Sequence, residues 1–136
     1  MKRIAVAALA YWAGGLALGF LLGPVRVLWV APRLGEFAAV AAELPVMLAA
    51  GWGWARVVLG RAAVADARGA WLVGAGAFIL LLTSECVLAA VLFGRSPDQW
   101  AADLLLPAGW LGLAGQLLWA LLPGWAWRRG APDRLG

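Results

Sequence analysis

The stretch Gly69–Gly94, GAWLVGAGAFILLLTSECVLAAVLFG, decides the fold. It carries one charge, Glu85, and no polar stripe recurs along it. A helix on the surface of a soluble domain needs a polar face. A bilayer core asks instead for about 20 consecutive apolar residues, at about 1.5 Å of rise each. Three more runs meet that demand: Ile4–Leu22 and Leu104–Trp127 without a charge, and Phe37–Ala55 with only Glu43. The chain is 65% hydrophobic and 13% charged, and its mean hydropathy of +0.87 leaves little polar surface for a soluble domain. The pattern predicts an all-α, membrane-embedded four-helix bundle. It forms a single transmembrane domain over residues 1–136, with helices over about 4–23, 35–58, 69–93 and 97–122.

Composition narrows the chemistry. There is no histidine, which removes His-ligated haem, His-containing zinc sites and Ser-His catalysis. Cys86 is the sole cysteine, so no intrachain disulfide forms. Lys2, the sole lysine, sits beside the N-terminus and cannot hold a mid-membrane Schiff base. No catalytic constellation, metal set or cofactor site is legible, and the expectation is a protein that is not an enzyme. The pI of about 10.6 does not point to nucleic acid, because the arginines stand at helix ends. The Arg-, Ala- and Gly-rich composition suits a GC-rich bacterial genome and hence a multi-pass protein of the bacterial inner membrane. Met1–Lys2–Arg3 before an apolar run imitates a signal peptide, but Ala8–Leu9–Ala10 comes too early for cleavage. An uncleaved first helix is expected.

The basic residues orient the bundle. With the N-terminus cytoplasmic, Lys2, Arg3, Arg56, Arg61, Arg68, Arg128, Arg129 and Arg134 are inside, and Arg26, Arg33 and Arg95 are outside. Short loops rich in Lys and Arg resist translocation, so both termini are expected inside. Trp52, Trp54, Trp71, Trp119, Trp125 and Trp127 then mark the inner interface, and Trp29 and Trp100 the outer one. Of the acids, Glu36, Glu43, Glu85, Asp98 and Asp103 fall in the outer half.

Helix 1 is expected to end near Gly23–Pro24, and Val25–Leu34 to be an interfacial loop. Gly15, Gly19 and Gly23 repeat every fourth residue, the spacing of a close helix-packing face. Ser96, Pro97, Asp98 and Gln99 form a capping-box start for helix 4. Pro45 and Pro107 are expected to kink helices 2 and 4. Gln116 falls toward the inner side of helix 4.

The charges within apolar sequence form the candidate site: Arg26, Arg33, Glu36, Glu43, Glu85 and Asp103. Glu36 and Glu43 share a helix face, about 10 Å apart along the axis. Glu43 lies about two turns deep and should face the bundle, and Pro45 frees a carbonyl beside it. One reading pairs Arg26 or Arg33 with Glu43 or Glu85 to fix helix register. Another makes the carboxylates a cation, proton or cationic-substrate site, and a third makes them a docking surface for a partner subunit.

The run GPVRVLWVAPRLGE followed by AELPVML resembles a family of small four-helix integral membrane proteins of proteobacteria. Its pattern G-x-x-R-x-L-W, P-R-x-G-E, E-x-P-x-M-L falls here on Gly23, Arg26, Leu28 and Trp29; on Pro32, Arg33, Gly35 and Glu36; and on Glu43, Pro45, Met47 and Leu48. The resemblance implies the four-helix membrane fold and carries no activity with it. Size and helix number are also similar to the small multidrug resistance exporters, whose essential glutamate is in the first helix, where this chain has no carboxylate. Two functions therefore stay open. One is a structural or accessory subunit within a larger membrane complex or homo-oligomer. The other is a small cation- or proton-coupled transporter or channel using Glu43 and Glu85. The lipid bilayer is the expected partner in both, and nucleic acid in neither.

Overall fold

The computed structural model describes residues 1–130. Asp133 and Arg134, which enter the charge reading, lie outside the described residues. The described chain is helical and contains no strand. Its five helices are α1 (Lys2–Leu34), α2 (Glu36–Arg61), α3 (Ala67–Phe93), α4 (Pro97–Asp103) and α5 (Pro107–Gly130). By length and composition α1, α2 and α3 can each cross a membrane. Helices α4 and α5 meet that requirement as a pair, bent by 90°.

Helix α1 does not stop at Pro24. It is α-helical over Lys2–Val25, π-helical over Arg26–Val30 and α-helical again over Ala31–Leu34. The expected loop over Val25–Leu34 is thus helical. Pro24 removes one backbone donor, and the wider π turn that follows keeps the remaining groups bonded within the segment. In apolar surroundings an irregular loop would leave such groups unpaired at a cost of several kcal/mol, about what favours the continued helix. The break comes at Gly35, with φ 85° and ψ 161°, a region essentially reserved for glycine. No other residue separates α1 from α2.

Helix 4 also departs from expectation. The capping box of Ser96 and Gln99 forms as read, but α4 lasts only to Asp103. After a turn over Leu104–Leu106 the chain restarts at Pro107. Pro107 therefore opens a helix, where its missing N–H costs nothing, instead of kinking one. Pro45 lies inside α2, which runs on to Arg61. At the remaining turn Asp66 Oδ1 accepts from Gly69 N at 2.7 Å and caps α3.

Helix α1 packs on α2 and α3, and α5 packs on the same two. The buried core lies toward the termini: Ala7, Tyr11, Ala55, Leu59, Val73, Ala77, Trp119 and Leu122. Tyr11 and Trp119 stack at 4.1 Å with 9° between their planes, and the Tyr11 hydroxyl donates to the Trp119 carbonyl at 2.8 Å. Trp119 is 3% exposed, so this expected belt residue is a core residue. Gly15 makes the space for it, since a Cβ there would collide with the indole. At Gly19 and Gly23 a Cβ would meet nothing within 4 Å. The expected glycine packing face is thus in contact at Gly15 alone of the three, and against a side chain. The closest backbone approach is elsewhere: Gly74 admits the Ala120 carbonyl of α5.

Candidate functional site: an intramembrane chamber

Above the Tyr11–Trp119 stack, toward the Gly35 end, the helices part. They enclose a chamber of about 250 Å³. Gly19 and Gly23 line it from α1, which accounts for their empty surroundings. The walls are mainly apolar, with Leu16, Phe20, Leu44, Met47, Leu81 and Leu88. Four polar side chains reach it: Arg26, Glu43, Glu85 and Gln116.

Each is delivered by a distinct feature. Arg26 opens the π turn of α1. Its Nη1 lies 3.0 Å from Glu43 Oε2 of α2, and the two side chains are 33% and 14% exposed. Glu85 stands in the Thr83–Ser84–Glu85 patch of α3. Thr83 and Ser84 turn their hydroxyls back to the carbonyls of Ile79 and Leu80, at 2.8 and 2.7 Å. Ser84 also accepts from Trp12 Nε1 at 3.0 Å, which ties α3 to α1. Glu85 is left as the group of this patch that faces the chamber. Its Oε1 accepts from Gln116 Nε2 of α5. Two polar atoms are buried without a hydrogen-bond partner among the described residues: Arg26 Nε, a donor, and Gln116 Oε1, an acceptor.

A second cavity, of about 740 Å³, adjoins the first. It shares Arg26, Glu85 and Gln116 with the chamber and reaches Glu36, Trp100 and Asp103 near the Gly35 end. It serves as a vestibule. Asp103 is bound there by Arg95, Nη2 to Oδ2, with both side chains largely exposed. A pair this exposed adds little stability, about 0–1 kcal/mol, but it links the end of α3 to the end of α4.

The six expected cluster residues therefore separate. Arg26, Glu43 and Glu85 meet at the chamber. Glu36 and Asp103 line the vestibule. Arg33 is exposed, borders neither cavity and makes no salt bridge among the described residues. Gln116 is the residue that sequence reading set aside. Counted from Pro97 it lies deep along a single helix, at about 28 Å, whereas from the true start at Pro107 it is about 13 Å along. The turn chemistry around Leu104–Pro107 is the signal that repositions it.

Chemically, the chamber offers one neutralised ion pair, one carboxylate held by a neutral amide, and a hydrocarbon wall. No known protein family, curated protein or solved structure matches the chain.

Proposed function

We propose that this chain is a four-helix integral protein of the bacterial inner membrane, with both termini cytoplasmic. We read it as a small cation- or proton-coupled carrier that binds a small organic cation in its chamber. In this reading α4 and α5 together make the fourth crossing, and the vestibule opens to the periplasm. The observation that carries it is Glu85. Its carboxylate borders both cavities, its hydrogen-bond partner is neutral, and it forms no salt bridge among the described residues. The charge of Glu43 is already balanced by Arg26. A carboxylate away from bulk water favours a counter-charge or a proton, because an uncompensated ion there is costly. The volume falls below the usual drug-sized range of about 300–1,000 Å³, so the substrate is a compact amine with an apolar body.

The test uses the purified protein and phenethylammonium as the probe. The probe should raise the thermal midpoint of the wild type and not of Glu85→Gln, and a proton gradient should drive its flux into liposomes. An equal response from the Gln variant removes Glu85 from the reading.

The Arg26–Glu43 pair favours a second reading, a structural or accessory subunit. It joins α1 to α2, and Phe20, Leu21 and Leu28 of α1 leave an apolar surface that lipid or a partner would cover. Copurification of a larger partner, together with no response to the cation, supports this reading over the first.

A further inference from the structure

At the terminal end, away from the chamber, lies a second polar feature. Arg128 and Arg129 close α5. Their guanidinium groups diverge. Arg128 Cζ is 5.4 Å from the centroid of Trp71 on α3, and Arg129 Cζ is 5.9 Å from that of Trp52 on α2. Trp71 is seated by Gly124, where a Cβ would overlap the indole. A space of about 600 Å³ opens between these groups, lined by Trp52, Trp125, Arg128 and Arg129. Neither arginine makes a salt bridge among the described residues.

An arginine at a helix C-terminus already complements the helix dipole, by about 0.3–1 kcal/mol. That effect explains its presence but not its posture. An arginine lying over an indole uses its π face and keeps its N–H edge available. That edge matches two oxygens of a phosphate in a fork that lysine cannot make. Two such edges flank a space walled by Trp52 and Trp125, whose indoles suit the glycerol and headgroup level of a membrane. Arg56 follows Trp52 by one helical turn on the same stripe of α2 and adds positive charge nearby.

We propose that Trp52, Trp125, Arg128 and Arg129 form a binding site for the phosphodiester headgroup of an anionic phospholipid. The arginine edges bind the phosphate oxygens, and the two indoles pack on the glycerol. The site is separate from the chamber and stands whether or not a cation binds there.

Native mass spectrometry and thermal unfolding test it on the full chain. Protein in phosphatidylcholine is compared with protein in phosphatidylcholine plus phosphatidylglycerol. A third arm adds inorganic phosphate in zwitterionic detergent. Phosphatidylglycerol should be retained through detergent exchange and should raise the unfolding midpoint, and inorganic phosphate should do neither. With about fivefold in affinity per arginine near the surface, R128Q/R129Q should bind phosphatidylglycerol about thirtyfold more weakly. R61Q, outside the pocket, should bind it as the wild type does. R128K/R129K keeps both charges, and hence the fold, but loses the forked edges, so its retention should also fall. Unchanged retention in either double variant overturns the site, and so does an equal loss in R61Q. An equal midpoint shift from inorganic phosphate assigns the pocket to a soluble anion and overturns the lipid.

Discussion

Arg26 Nη1 lies 3.0 Å from Glu43 Oε2, and the pair spans the break at Gly35. It closes the hairpin of α1 and α2 across a join of one residue. Removing one partner leaves the other charged in a poorly solvated place. Fully buried pairs lose about 3–5 kcal/mol when broken, but Arg26 is a third exposed, so Glu43→Gln should cost about 1–2 kcal/mol. Arg26→Leu combined with Glu43→Leu should recover most of the loss. A double-mutant cycle by thermal unfolding measures the coupling, and a coupling near zero would mean that the pair does not hold the hairpin.

Glu85→Gln should leave the fold intact, because the new amide can still bond to Gln116. It should weaken phenethylammonium binding by about 10- to 100-fold, the worth of a charge-assisted contact. Calorimetry on detergent-solubilised protein gives the number. Full retention of affinity would place the cation elsewhere.

Gly35→Ala should destabilise the protein by about 1–3 kcal/mol, since φ 85° with ψ 161° is strained for any residue with a Cβ. Space is not the issue, as a Cβ there meets no atom within 4 Å. A neutral substitution, by thermal midpoint, would contradict the strained break.

Trp119→Ala should cost about 3–5 kcal/mol, the usual range for deleting a buried tryptophan. Tyr11→Phe should cost about 1 kcal/mol for the lost hydrogen bond. The ratio of the two in chemical unfolding separates ring packing from the hydroxyl.

Reporters fused after Gly60 and after Gly136 should read cytoplasmic, and one after Arg95 periplasmic. The C-terminal fusion matters most. If the 90° bend before α5 turned the chain back to the side it came from, that reporter would read periplasmic.

The long helices were legible because a bilayer's demand is compositional, and runs such as Gly69–Gly94 satisfy it without tertiary information. Their ends were not. Gly35 looked like the start of a helix and is the whole connection between two. The choice of Arg26 over Arg33 as partner for Glu43 depends on the π turn, which rotates everything after Val25 and has no periodic signature. Gln116 was missed because Leu104–Leu106 carry no glycine, asparagine or serine to announce a turn. Of the candidate site, the acids were visible as charges in apolar sequence. Which of them share a cavity depends on where α5 begins.

The interruptions in the helices are not spread evenly. The π turn, the Gly35 break, the Gly94–Ser96 connection and the 90° bend all lie at one end, whereas the stacked, well-filled core lies at the other. Mechanically, the molecule is a stiff base carrying a compliant rim. Backbone amides over 26–35 and 104–106 should exchange with deuterium well before those around Tyr11 and Trp119. A ligand seated on Glu85 would rest where the two regimes meet, so its arrival can reshape the rim while the base keeps its packing.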